Sequence, residues 1–451
     1  MASTYLVDAN PTAGNRTKGT VSVWVKRGNL GGTQWIYTER DGSNNYAGIR
    51  FSSDGKLAVI SRESSSDQMN VETNRVFRDT SAWYHIVVAW DTTDGTSSDR
   101  VKIYVNGVRE TIFDGSPTYP SSSQNLYFGV GGTSYPIVIG RRGDNAEYFD
   151  GSMSHFHRVD NQSLDASTFG STDSVTGEWT IKTSPSITYT GSSSFNFFVL
   201  KDGNSVTDQS GKGNNLTVGG GTLTKTEDNP SNNFATVNAV IGNHSNGNAL
   251  QPTLENANTV SVYGSGEWRI AQSTLGASSG KYYAEIKWIE DSNTRYSYIG
   301  LYDVDGYAQK ISGYPYMADM ANCYGLKDSN GNINSGASST SYGVSYGAGN
   351  IIGVAMDLDN NKLYFSKDGV WMNSANPSNG TGGYSITANK TYVIGIQQYA
   401  VGYLRFAHNY GNGYFQTTAV SSAGSNASNL GIFEYDVPTG FTALCTKGLN
   451  E

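Results

Sequence analysis

Apolar and polar positions alternate along most of this chain, and the clearest stretch is 350–371. Val354, Met356 and Leu358 alternate with Ala355, Asp357 and Asp359, the period of two that marks a half-buried strand. Leu363 and Phe365 alternate in the same way with Lys362, Tyr364 and Ser366. Asn360-Asn361 between them can take the positive φ angles of a two-residue hairpin turn. Asp368-Gly369 supplies the next turn, and Trp371 opens a third strand. On this pattern Asp357 and Asp359 are outward-facing strand residues.

Strands of the same kind recur on both sides of a turn-rich stretch. In 1–170, Val21, Val23 and Val25 alternate with Ser22, Trp24 and Lys26. Ile49 and Phe51 lead through Ser53-Asp54-Gly55 to Leu57 and Val59. Residues 83–90 form a nearly continuous apolar strand, Val101, Ile103 and Val105 run up to Asn106-Gly107, and 137–139 is a short buried run. Residues 171–232 read as a connector that lends a strand to a neighbouring sheet, with candidates at 195–200 and from Leu216. In 233–424 the clear strands are 282–288, 298–302, 351–358, 362–366, 391–397 and 403–408. Residues 425–451 carry one apolar stretch, 430–435, expected to lie on a domain surface. The prediction is all-β: two antiparallel β-sandwiches joined by a connector.

Composition supports that class and narrows the function. Charged residues are only 16%, and polarity comes from Ser, Thr, Asn and 54 Gly, all poor in helix interiors. The net charge is −8 and no Lys/Arg run exists, so nothing points to nucleic acid. No apolar stretch of about 18 residues suggests membrane insertion. The first residues lack a basic and an apolar region, so no signal peptide is expected. Cys323 and Cys445 are expected as free thiols of a reducing compartment.

Two family resemblances rest on these residues. The stretch 83–107, followed by Tyr148-Phe149-Asp150-Gly151-Ser152-Met153, resembles laminin-G-like domains of the concanavalin-A-like class. Gly280-Lys281-Tyr282-Tyr283-Ala284-Glu285-Ile286, Ile299-Gly300-Leu301-Tyr302 and the 350–371 segment resemble a SPRY domain. The two modules in this order, with Asn229-Pro230-Ser231-Asn232-Asn233-Phe234 between them and Pro438-Thr439-Gly440-Phe441 near the end, are similar to virion proteins of tailed bacteriophages. That resemblance implies a virion location and assembly in the host cytoplasm. The partners it implies are other virion proteins and a host-surface glycan, with homo-oligomers in the particle. It equally allows a purely structural decoration or scaffold subunit of capsid or tail.

Candidate chemistry is sparse, and no enzyme is expected. Glucanases of the concanavalin-A-like class need paired carboxylates about 5 Å apart in a retaining enzyme. The nearest approach to their E-x-D-x-x-E signature is Glu285 and Glu290, with Lys287 in the third position, so an ordinary outer strand is expected there. His155 and His157 fall on one strand face without a third ligand and read as a solvent-facing pair. His85, His244 and His408 are isolated. Asp357, Asp359 and Asn361 imitate the start of a calcium loop, but Lys362 replaces its glycine. Asp144, Asp150 and Asp208 are loop acids that leave Ca²⁺ open without assigning ligands, and no cofactor is predicted. The 30 Tyr remain. Tyr combines rigid contact area with a hydroxyl. Tyr302, Asp303, Tyr314 and Tyr316 are expected on loops that line the partner face of SPRY domains, with Trp371 nearby, and these five are the candidate binding residues.

Overall fold

Strand alternation builds two pairs of stacked sheets, one pair in Met1–Lys225 and one in Thr226–Glu451. The computed structural model describes residues 3–41, 44–201, 205–240, 252–264, 266, 268–291, 295–305 and 320–450. Tyr314, Tyr316 and His244 lie outside the described residues.

In the first unit a seven-stranded sheet runs in the spatial order Thr217–Gly220, Tyr5–Asp8, Ile137–Ile139, Gln34–Asp41, Asn45–Phe51, Lys56–Glu63 and Ser66–Val76. It stacks on a six-stranded sheet ordered Phe197–Val199, Gly151–Asp160, Lys18–Arg27, Trp83–Asp91, Val101–Val105 and Val108–Arg109. Asn106 and Gly107 both take positive φ, as the last hairpin of that sheet requires. Val21, Val23, Val25, Ile86, Val88 and Trp90 join Ile49, Phe51, Leu57 and Val59 in one buried cluster. Each such side chain contributes about 1.5–3 kcal/mol relative to exposure.

The polar alternates of Lys18–Arg27 are not wet. Ser22, Trp24 and Lys26 are as buried as the valines. The cause lies outside the strand: Ala166, Phe169, Trp179, Ile187 and Tyr189 pack over Val87 and Val159 on that sheet's outer face. Residues 171–225 thus belong to the first unit, adding one edge strand to each of its sheets.

Glu39 and Arg158 sit inside this sandwich, both fully buried, one from each sheet. Their Oε1 and Nη2 atoms are 3.9 Å apart. Arg158 lies over the rings of Trp90 and Phe195. A Cβ at Gly19 would meet the Arg158 Nη1 at 2.7 Å, so a side chain there would displace the guanidinium. Glu39 accepts from Tyr37 Oη at 2.8 Å and from the Gly129 amide at 2.6 Å. Burial pushes its carboxyl up to about 7, against the pull of Arg158.

In the second unit the larger sheet contains, in order, Thr253–Glu255, Val260–Tyr263, Leu404–Asn409, Lys281–Asp291, Ile351–Asp357, Lys362–Lys367 and Val370–Trp371. The other runs Trp268–Gln272, Tyr392–Ala400, Arg295–Asp303, Tyr324–Lys327, Asn332–Ser335 and Ser338–Ser341. Ile286, Trp288, Ile299, Leu301, Val354, Met356 and Phe365 fill the space between them.

The 350–371 segment departs from its sequence reading in two ways. Asp357 pairs with Lys362, so the turn holds four residues and not two, with Asn361 alone of the two asparagines at positive φ. Asp357 does not face outward to water. It is buried, accepts from the Asn360 amide at 3.0 Å and pairs with Lys281 at 3.1 Å. Asp359 is exposed and accepts from the Gly280 amide. Every residue of Ile351–Asp357 is buried, because a later segment covers the strand's second face. Phe433, Val437, Phe441, Ala443 and Cys445 pack on Tyr283, Ala355 and Tyr364, and Thr442–Ala443 pairs in parallel with Tyr282 and Tyr283.

Candidate functional site

Tyr302 and Asp303 are not on a loop. They end the Arg295–Asp303 strand and both are buried. Tyr302 packs with Ile270, Met320 and Cys323, and the Asp303 carboxylate accepts from Asn322 Nδ2 at 2.9 Å and pairs with Lys390 at 3.2 Å. The loop expectation failed because the strand expected to end at 302 runs on to Asp303, where both side chains are covered.

The same strand carries an exposed aromatic site at its other end. Tyr296, Tyr298 and Tyr302 share one face by the period of two. Tyr296 is 42% exposed. Strand register sets Tyr399 opposite both Tyr296 and Trp268 on the two flanking strands. Ladder partners project to the same side of a sheet. The three rings therefore meet: centroids are 5.5 Å apart for Trp268–Tyr399, 6.0 Å for Tyr296–Tyr399 and 6.2 Å for Trp268–Tyr296. Trp268 and Tyr298 are buried beneath, and Tyr399 is half-buried. The result is an aromatic platform on three hydrogen-bonded strands, rigid at its base and open at Tyr296. Trp268, Tyr296 and Tyr399 were missed from sequence. Their signal was available in three aromatic strand residues, but the register that gathers them was not.

Trp371 stands on a different edge. Asp368 and Gly369 both take positive φ, and a Cβ at Gly369 would meet the Tyr435 ring at 2.6 Å. Asp368 is held by the Ile351 amide and by Asn350. Trp371 is half-buried with its ring 6.3 Å from Tyr283. It borders a pocket of about 370 Å³ lined by Tyr342, Val344, Lys367, Val370 and Met372. Val344 and Val370 are 57% and 72% exposed. Lys367 donates to the Ser345 carbonyl at 2.9 Å. This wall mixes exposed valines with aromatic rings, Met372, Lys367 and Asn373. Trp371 and the Tyr302–Asp303 pair thus fall in different environments and do not form one site.

The groups that could have carried catalysis are committed elsewhere. Glu285 is not on a wet outer strand. It is buried, accepting from the Glu434 and Tyr435 amides at 2.8 and 2.9 Å, from Tyr283 Oη at 3.2 Å and from Asn409 at 3.3 Å. Burial pushes its carboxyl up to about 7. Two Ser–His pairs are also buried, Ser22–His85 and Ser261–His408, each at 2.9 Å. Trp179 Nε1 donates to His85 Nδ1 at 3.0 Å, so the His85 proton is on Nε2 and Ser22 accepts it. A base would need the reverse arrangement. Burial pulls His85 and His408 down to about 3.

His155 and His157 are not a solvent-facing pair. A bulge separates them, His155 is at positive φ, and His157 is buried with its ring stacked 3.8 Å from Phe198. Asp144 pairs with Arg40 and Arg142. Both Asp208 oxygens accept from its own loop, through the Ser210 and Asn214 amides among others. Among the described residues no group of three or more His, Cys, Asp or Glu is placed to hold a metal ion. Cys323 and Cys445 are buried and form no disulfide, and burial pushes the Cys323 thiol up to about 12.

Residues 3–168 match the family model of the concanavalin A-like lectin/glucanases superfamily. The match covers the sheets described above for the first unit, short of the strands lent by 171–225. No curated protein matches the chain. Among solved structures, the chain is similar to the SPRY domain of human HERC1, at 12% identity and a TM-score of 0.26, covering 33% of this chain and 87% of that one. A heptameric SAP-like pentraxin from Limulus polyphemus gives 19% identity and a TM-score of 0.26, with 34% and 68% covered. Stonustoxin gives 15% and 0.27, with 39% and 27% covered.

Proposed function

We propose that this protein is a non-enzymatic virion protein of a tailed bacteriophage, with a laminin-G-like and a SPRY-like sandwich, and that it attaches the particle to a host-surface glycan. The Trp268–Tyr399–Tyr296 platform carries this reading. Ring faces give flat apolar area against the C–H face of a sugar, and Tyr hydroxyls add hydrogen bonds. One such site binds weakly, and many copies on a particle multiply it. The buried, fully engaged positions of Glu285, Ser22 and Ser261 support binding without turnover. Purified protein should bind host cells or their isolated surface polysaccharide. Tyr296→Ala, at an exposed ring, should weaken that binding about tenfold or more without lowering the melting temperature by more than a few degrees. If the wild-type protein binds neither material, the attachment reading fails.

A second reading has its own observation. Ser338–Ser341 is a sheet edge, all four residues exposed and uncharged, without the lysine or proline that blunts edges elsewhere. Such an edge suits a purely structural subunit that pairs with a neighbour in capsid or tail. Electron microscopy of labelled particles distinguishes the two, because an attachment protein must occupy a host-facing tip or surface.

A further inference from the structure

The most exposed large apolar side chain in the described residues is Val175, at 91%. It is held there firmly. Gly170–Thr172 and Trp179–Ile181 pair as a two-stranded ribbon, and Val175 sits in the turn between them. Asp173 Oδ1 accepts from the Val175 amide at 2.9 Å, the Thr176 amide at 2.8 Å and Thr176 Oγ1 at 3.1 Å, and the Gly177 amide donates to the Asp173 carbonyl. Hydrogen bonds from the turn hold the Asp173 carboxyl below its usual range, so it stays ionised. The ribbon is anchored at its base, where Trp179 stacks on His85 and donates to it. An isolated exposed valine needs no explanation. A valine fixed at the apex of a pinned turn, beside Asp173 and exposed Glu178, is a shaped and negatively charged knob.

The second unit holds a hole of matching character. Tyr342, Val344, Val370 and Met372 line the pocket of about 370 Å³, and Lys367 supplies positive charge on its wall. A Cβ at Gly343 would run into the Met372 side chain, so Met372 packs against backbone there. Lys367 spends one donor on the Ser345 carbonyl, and an ammonium has three. The two exposed valines, Met372 and the Trp371 ring give the wall apolar area, with Lys367 and Asn373 as its polar groups. It fits the tip of a polypeptide turn.

We propose that the Ser174-Val175-Thr176 turn of one copy docks into the Val344/Val370 pocket of a second copy, with Asp173 or Glu178 facing Lys367. Knob and hole are different surfaces, so the contact is heterologous and propagates from copy to copy, giving a ring if the rotation closes and a filament if it does not. This inference is independent of the glycan platform.

Analytical ultracentrifugation of the full chain over a range of concentrations tests it. The wild-type protein should associate beyond a dimer as concentration rises, less so at high salt, because the charged pair is exposed. Val175→Asp and Val370→Asp should each be monomeric, and circular dichroism should show both folded. Mixed in equal amounts, the two variants should form a discrete dimer and nothing larger, since each keeps one intact surface. A wild-type protein that stays monomeric throughout overturns the proposal. So does association that survives either substitution, or a mixture that stays monomeric.

Discussion

Each sandwich buries a glutamate two residues after a buried tyrosine, Tyr37-x-Glu39 in the first and Tyr283-x-Glu285 in the second, and the two differ in what surrounds them. Glu39 points between the sheets and faces a cation, Arg158, at 3.9 Å. Glu285 lies on an outer sheet face under residues 430–445, and its four contacts are neutral donors. Desolvation raises both to about 7. The tyrosine hydroxyl makes either state tolerable, since it can donate to a carboxylate or accept from a carboxylic acid. A period of two places both groups on one strand face, which explains why the pairing recurs on unrelated sequence. The difference is one of purpose. The Glu39 site joins two sheets through charge, while the Glu285 site fastens a covering segment through its backbone amides.

Removing the cation should have the largest effect. Arg158→Leu leaves Glu39 buried without its opposing charge and should cost about 3–5 kcal/mol in denaturant unfolding of the first unit. Adding Glu39→Leu should recover most of that loss. A double variant no more stable than the single one would mean that Arg158 acts by packing on Trp90 and Phe195. Glu285→Ala comes next. It leaves the Glu434 and Tyr435 amides without their acceptor, at about 2–4 kcal/mol, and limited proteolysis should then cut first within 421–441. Unchanged proteolysis would show that the apolar contacts of Phe433 and Phe441 hold the segment alone.

Acidification from pH 7 to 5 should separate the units by a smaller amount. A carboxyl raised in the fold contributes stability that is fully present below its unfolded value and is lost as pH rises through 7, so acidification restores it. A histidine depressed in the fold acts oppositely, because only its unfolded form takes a proton near 6.5. The first unit sets Glu39 against His85 and His157, both depressed by burial. The second sets Glu285 and Asp328, the latter raised by burial to about 6, against His408. Each group contributes about 1.5–2 kcal/mol over this window at 1.36 kcal/mol per pK unit. Hydrogen exchange should therefore show the first unit weakening and the second strengthening, each by about 1.5 kcal/mol. Glu285→Gln should flatten the second unit's response, and a parallel decline in both units would refute the balance.

The sequence pattern supplied the two-sandwich class and the most apolar strands, because a period of two reports directly on the sheet face, but strands such as Gln34–Asp41, Ser66–Val76, Trp268–Gln272 and Tyr324–Lys327 went unread. It did not report what covers that face. Ser22, Trp24 and Lys26 alternate with core valines yet are themselves buried, their sheet face lying under residues 166–189, which also reach His85 on the neighbouring strand through Trp179. Asp357 read as outward for the same reason. Of the candidate binding residues, Tyr302 shares a strand face with Tyr296 but stands at its covered end, whereas Tyr296 is exposed. Strand register gathers Tyr296, Tyr399 and Trp268 from positions as far apart as 268 and 399, and no local pattern encodes that meeting.

The covering of Tyr283 by 430–445 has a consequence for synthesis. Tyr435 reaches Glu285 across 150 residues of chain. At about 5–20 residues per second, roughly ten to thirty seconds separate the appearance of the strand from that of its cover. During that interval the second unit presents an apolar sheet face to solvent, while the first has all its strands and can already be closed. Newly made copies are then most prone to mispairing in their second half, and a chaperone that shields apolar strands would be needed there first.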